Sequence, residues 1–398
     1  MVRMLRERVQ GRHARVTTLE LFFDLVFVFA VTQLSHGLLA HLTPEGAIHA
    51  GLLTLAVWWA WIYTTWITNW LDPDHPAVRA LLFVLMALGL VMSTSIPHAF
   101  EDRAVTFALA YVTFQLGRSL FMTWAARGDR PLFLNFVRVS AWLAASGVCW
   151  IAGAFSDAMR LPLWGLALAI EYLGPAAAFW TPGFGRSETR DWNVEGGHMA
   201  ERCGLFVIIC LGESVLVTGA TFAGHAWDAA TIAAFAAALG GAIALWWIYF
   251  SAHAEASFLA IAHSDDPGRI ARMAYTYAHI PMVAGIIVTA AGDELALAHP
   301  VENATHGGAA WLLLGGPALY LAGALWFKFA VFRVFPGPRA AGLAMLGAAA
   351  FAAPALSILA LSAVATTVLA IVAAWETAIR ARTDGAGHEG HAAAKAEA

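Results

Sequence analysis

Charge is scarce in this chain. Asp, Glu, Lys and Arg make up only 13 % of its 398 residues, against about 25 % in a soluble domain. The net charge of −4 is small for this length and points to no nucleic-acid partner. Cysteine is scarce too: Cys149, Cys203 and Cys210 are the whole set and none forms a CxxC. That excludes a disulfide framework or a zinc site and leaves them as small apolar core residues. No phosphate loop, HExxH, GxSxG or zinc-spaced cluster occurs. An ATP-driven pump within this chain is therefore not expected, nor is a catalytic centre, a metal site or a cofactor.

What remains is apolar. Hydrophobic residues are 60 % of the chain and the mean hydropathy is +0.67. They fall into twelve runs, approximately 19–42, 47–70, 78–98, 104–126, 132–155, 161–181, 199–221, 229–252, 268–291, 309–332, 338–354 and 356–380. A bilayer core takes about 20 such residues per helix, and lipid leaves helices as the form that satisfies its own backbone. The runs are divided by turn or charge signals such as Asp72-Pro73-Asp74 and Asp265-Asp266-Pro267-Gly268. Residues 340–380 form one Ala/Leu-rich stretch, with Pro354 as its turn or kink. The run from Leu19 is too long for a removable signal peptide and lacks its cleavage site. The fold class is an all-α polytopic membrane protein with about twelve transmembrane helices.

Arginine orients it. Arg3, Arg6, Arg8, Arg12 and Arg15 precede the first run, and Arg79, Arg127 and Arg130, Arg186 and Arg190, Arg269 and Arg272, and Arg333 and Arg339 recur at every second connection. Arg380 and Arg382 follow the last run, while the opposite connections hold only Arg103 and Arg160. Both ends are expected in the cytoplasm, in a multi-pass protein of the inner (plasma) membrane.

The halves resemble each other. Glu20-Leu-Phe-Phe-Asp24 in the first run aligns with Glu201-Arg-Cys-Gly-Leu205 in the seventh, and Thr32 falls opposite Glu213. Trp58-Trp59-Ala-Trp61-Ile-Tyr63 corresponds to Trp246-Trp247-Ile-Tyr249, Ile96-Pro97 to Ile280-Pro281, and Tyr111…Arg118 to Tyr320…Lys328. Glu171 corresponds to Glu376. The expected organisation is a basic cytoplasmic N-terminus 1–18, a first six-helix repeat 19–181, a cytoplasmic linker 182–198, a parallel second repeat 199–380 and a disordered tail 381–398. Parallel repeats commonly hold a pathway at their interface.

Charges inside the runs are the functional candidates, because a charge at the bilayer centre costs on the order of 3 kcal/mol. Glu20 and Asp24 lie four residues apart and share a helix face. Glu20 also suits a helix start, whereas Asp24 lies deeper. Glu201 and Arg202 open the seventh run; Glu201 is an ion-binding candidate, with capping and an interfacial pair as the simpler roles. Glu213 lies roughly 18 Å further along that run, beside Gly204, Gly212 and Gly219, and is the leading candidate. His279 precedes the kinking Pro281 by two residues. Arg118 and Arg138 are cations available to Asp24, Glu213 or Glu171, with Arg138 near enough to an end to snorkel, and Glu376 is a further charge-pairing candidate. His388 and His391 belong to the polar tail. The seventeen tryptophans read as belt anchors and packing.

The stretch Thr18-Leu-Glu20-Leu-Phe-Phe-Asp24-Leu-Val-Phe-Val-Phe-Ala-Val-Thr-Gln-Leu-Ser35 resembles the signature of the bacterial low temperature requirement protein A (LtrA) family. Glu201 to Ser214, and Tyr277-Ala-His279-Ile-Pro281-Met-Val-Ala-Gly285-Ile, resemble later segments of the family, and the likeness covers roughly 10–380. It implies a multi-pass bacterial membrane protein whose family name records growth in the cold, not a reaction. Phe22-Phe23-Asp24-Leu-Val-Phe, with Arg15 upstream, also resembles the helix-1 signature of lysosomal-type potassium channels. Phe23 stands where those have serine, and Leu205 where the second aspartate would fall.

Three functions follow. One is a channel or a proton- or cation-coupled carrier for K+, Na+ or H+ in the lipid bilayer, its path lined by the first and seventh helices. The others are a non-catalytic membrane factor for cold adaptation and an intramembrane lipid-modifying enzyme. The substrate and oligomeric state are open at this level.

Overall fold

In the computed structural model the described residues are 4–6, 15–188, 192, 194–262, 264, 266–304 and 308–396, with side chains left aside at 251–260, 262 and 383–396. Among them the chain is helical, with isolated bridges but no extended strand. Twelve helices follow in order. The first six are α1 Thr18–Ala40, α2 Pro44–Trp70, α3 Pro76–Ser95, α4 Ala104–Ala125, α5 Arg130–Ala154 and α6 Asp157–Leu173. Then come α7 Gly196–Ala223, α8 Ala229–Ala262, α9 Pro267–Ala298, α10 Ala309–Phe332, α11 Gly337–Ala352 and α12 Ile358–Ala396. Ten are long and apolar enough to cross a bilayer; α6 and α11, at 17 and 16 residues, are the shorter two.

Local chemistry sets several boundaries. Thr17 and Glu20 form a reciprocal capping box at α1. Thr43, Asp129 and Asp266 cap their helices, each with proline in the first turn. The expected run 161–181 ends early, at Leu173. Pro175 cannot supply the donor that Glu171's carbonyl needs, and the chain turns through Ala178 and Phe179 at left-handed φ of 53° and 46°. Residues 340–380 contain two helices, parted by a tight turn at Ala353–Ala355 around Pro354. The expected tail 381–398 falls at the end of α12, whose backbone runs to Ala396; His388 and His391 lie outside the described side chains.

The chain divides into two compact units. The first is Met1–Glu213 with Phe258–Ile280, the second Ser214–Ser257 with Pro281–Ala398. In the first, α1 packs on α2 and α3, α4 on α3 and α5, and α5 on α6. Residues 56–70 of α2 are buried without a break, so this part of the helix is enclosed on every side. Trp58, Trp59 and Trp61 fill that centre and are packing residues, not belt anchors.

Polarity in α1 is inverted relative to a soluble helix. Glu20, Phe23, Asp24, Phe27 and Val31 form its buried face, while Leu21, Phe22 and Leu25 are exposed. Exposed hydrocarbon with carboxylates inside is the arrangement a lipid solvent requires.

In the second unit α10, α11 and α12 pack together, and α9 meets α10 at glycines. A Cβ on Gly285 would lie 2.5 Å from the backbone nitrogen of Tyr320, and one on Gly316 2.6 Å from that of Thr289. Backbone cannot yield as a side-chain tip can. Gly285→Ala should therefore lower thermal stability in detergent, by about 1–3 kcal/mol as for other overpacked cores. Gly315→Ala, with nothing within 4 Å of its Cβ, should be neutral or stabilising. Equal melting temperatures for the two variants would refute this close approach.

Candidate functional site

The densest group of buried charges lies in the first unit, where α1, α2 and the start of α7 meet. Asp24 is fully buried and held on both oxygens. Arg202 donates from Nη1 to Oδ2 at 2.6 Å and from Nη2 to Oδ1 at 2.8 Å, and Trp61 Nε1 donates to Oδ1 at 2.8 Å. The two-pronged geometry is the strong form of a carboxylate–guanidinium pair. Arg202 Nη1 also donates to the carbonyl of Glu20 at 3.0 Å, and the guanidinium lies 5.5 Å from the centre of the Trp61 ring.

One turn earlier, Glu20 accepts from His198 Nε2 at 2.8 Å, from Arg6 at 3.2 Å and from the Thr17 backbone N–H at 2.9 Å. A carboxylate only accepts, so His198 carries its proton on Nε2. With His198 neutral, Glu20 and Asp24 balance Arg6 and Arg202, and the group as a whole carries no net charge.

Both inter-helix pairs span the same sequence separation, 178 residues. Two contacts of equal offset, one turn apart, require α1 and the start of α7 to run side by side in the same direction. His198 and Arg202 repeat the four-residue spacing of Glu20 and Asp24. That spacing was the signal available in the sequence, where Arg202 reads as an interfacial partner of its neighbour. Glu201 instead accepts from the backbone N–H of Val16 at 3.2 Å.

Other sequence candidates lie apart from this group. Arg118 is fully buried and forms no ion pair among the described residues. It donates to the carbonyl of Ala60, to Thr64 Oγ1 at 2.9 Å and to the amide oxygen of Gln115. Gln115 passes the contact on to Tyr111 at 2.9 Å. Glu171 is held by uncharged donors, Tyr111 OH at 2.5 Å, Ser146 Oγ at 2.6 Å and Trp150 Nε1 at 3.0 Å. Arg138 donates to the carbonyl of Phe184 at 2.9 Å and so fastens the segment after α6. Glu213 is 6 % exposed and makes no ion pair among the described residues.

In the second unit Glu376 receives Arg339 at 3.0 Å on each oxygen and Lys328 at 3.1 Å. Arg339 reads in the sequence as a loop charge, yet it is 3 % exposed. The sequence reading also passes over Asp293, because the expected run stops at residue 291 whereas α9 continues to Ala298.

His279 is buried beside a π-helical stretch, Ala271–Tyr277. Its Nδ1 lies 2.8 Å from the carbonyl of Ala274 and its ring stacks on Trp58, 6.1 Å between centres. Trp58 Nε1 donates at 2.9 Å to the carbonyl of Thr276, and Trp66 Nε1 at 3.0 Å to the hydroxyl of the same residue. The wide turn displaces carbonyls from the helical ladder, and these indoles satisfy two of its polar atoms. Cys203 and Cys210 are buried, Cys149 is partly so, and all three are free thiols. His98, Glu101 and Asp102 come together at an exposed turn, with His98 already bonded to Glu101 at 2.8 Å.

Helices that turn hydrocarbon outward and ion pairs inward define a multi-pass α-helical membrane protein. The chain belongs to the bacterial low temperature requirement A protein (LtrA) family, whose model matches residues 15–374. It is similar to the uncharacterized protein RA0937 of Rhizobium meliloti (strain 1021), 40 % identical over 359 residues, which is 90 % of this chain and 88 % of that protein. No solved structure matches the chain.

Removing one member of a buried pair strands the other charge, at a cost of about 3–5 kcal/mol. Asp24→Asn and Arg202→Gln should each lower stability by that order in detergent melting. The double variant should lose clearly less than the sum, because it leaves no orphan charge. Additive losses would show that the two side chains are not energetically coupled.

Proposed function

We propose that this LtrA-family chain is an inner-membrane channel or carrier for protons or monovalent cations. In this reading it is built as two parallel six-helix repeats with both ends in the cytoplasm. The observation that carries the proposal is the inward-facing stripe of α1. It begins at the charged group of Glu20 and Asp24, continues through Phe27, Val31 and Leu34, and ends at a cavity at the far end of the helix. That cavity is lined by polar side chains including His41, Glu45, His49 and Glu101. Between the two polar regions Phe27 lies edge-on to Phe114 and Phe206, with ring centres 6.4 and 6.5 Å away. A polar entrance, a packed aromatic barrier and a charged group on one helix face have the order of a closed gate.

Two contacts support the repeat. The parallel course of α1 and the start of α7 is what equivalent first helices of such repeats require. Glu171 on α6 takes its donors from α4 and α5, and Glu376 on α12 takes its donors from α10 and α11. The likeness of the two arrangements supports equivalent places for the two carboxylates in the repeat reading. In the coupled form of the reading, Glu213 carries the proton or cation on α7, roughly 16 Å along the helix from Arg202.

A second reading has its own support. The Glu20–Asp24 group is already neutral through Arg6 and Arg202, as a purely structural clasp would be. That favours a non-catalytic membrane factor.

Flux separates the two. Liposomes carrying the purified protein should pass K+, Na+ or H+ down an imposed gradient. Glu213→Gln, and the charge-balanced Asp24→Asn/Arg202→Gln variant, should pass at least tenfold less while keeping the wild-type elution profile. Absence of flux for all three ions across a range of pH would overturn the transport reading in favour of the structural one.

A further inference from the structure

Asp293 is a buried carboxylate that makes no ion pair among the described residues. Asp293 on α9 is 5 % exposed, and its Oδ2 has no hydrogen-bond partner. It lines a small internal cavity of the second unit, with room for about one water-sized body. Four helices line it, with Gly241 of α8 and two further apolar residues of α12 beside the groups that matter here. Thr289 and Asp293 come from α9, Ser362 and Thr366 from α12, and Leu313 and Pro317 from α10.

Within a mostly apolar lining, the polar groups are chiefly acceptors. Thr289 has already committed its proton to the carbonyl of Gly285 at 2.7 Å, and Thr366 its own to that of Ala237 at 2.9 Å. The oxygens of both hydroxyls keep lone pairs to offer. Pro317 has no N–H for the carbonyl of Leu313 four residues earlier, so α10 adds an acceptor outside the helical ladder. No other ionisable residue lines the space.

A carboxylate and hydroxyl oxygens around a hole the size of one water are hard ligands for a hard ion. A single negative charge matches a single positive one. A divalent ion would leave an uncompensated charge in the membrane interior, where such charges are costly. We propose that Asp293, Thr289, Ser362 and Thr366 form a binding site for a monovalent cation of sodium's size. The site stands whether or not the chain moves ions, so its test and the flux measurement above succeed or fail separately.

The test is thermal unfolding of the purified full chain, read by tryptophan fluorescence. NaCl replaces choline chloride at constant ionic strength. Ligand that binds only the folded state raises Tm with concentration. Wild type should show a saturable rise with sodium, smaller with potassium. Asp293→Asn should lose it, and Thr366→Val, which keeps the shape but removes an oxygen, should need at least tenfold more sodium for half the effect. If Asp293→Asn does not fold, Thr366→Val and Ser362→Ala carry the test. A wild type that does not distinguish sodium from choline overturns the proposal. So does a sodium response that persists unchanged in these variants, or a stability that follows pH with no competition from sodium, which would mean that Asp293 holds a proton instead.

Discussion

The structure depends on how it handles charge where water is absent. An ionised side chain in hydrocarbon must be turned inward and given partners, and nearly every departure from simple helical packing serves that end. Asp24 is met by a guanidinium and an indole, Glu20 by a histidine, an arginine and its own helix cap, and Glu376 by arginine and lysine. Glu171 has four uncharged side chains around it instead. Each solution consumes the inner face of a helix and fixes its rotation. The outer face is then free to be leucine and phenylalanine.

Aromatic residues hold these groups in place. Trp61 bonds Asp24 and lies under Arg202, Trp58 bonds the widened turn of α9 and stacks on His279, and Phe206 packs 4.1 Å from Trp61. Indoles suit the role because they combine a large apolar body with one donor. The π-helical stretch and the ion pair are thereby joined through packed rings within one unit.

The balance is not carried equally far at every buried carboxylate. The Glu20–Asp24 group closes on itself, whereas Asp293 faces acceptors with no cation among them. A self-neutralised group can hold helices together with no further component. An isolated carboxylate among oxygens is complete only with a proton or an ion.

The residue string was enough to place the chain in a membrane and to mark most helix boundaries, because both depend on local composition and on caps and prolines. It also marked Glu20, Asp24, Glu171 and Glu376, since a charge in an apolar run stands out. Partnership was not legible. Arg202 pairs with a residue 178 positions away, and Arg118, the most deeply set cation in sequence, pairs with no carboxylate among the described residues. Asp293 was hidden by a boundary set a few residues too early, for hydropathy fades at a helix end while the backbone ladder does not. Composition and periodicity determined that this protein is a helical membrane protein with acidic groups inside. Only the tertiary structure decided which charges cancel and which carboxylates have no cation beside them, because burial and pairing depend on which helix faces meet.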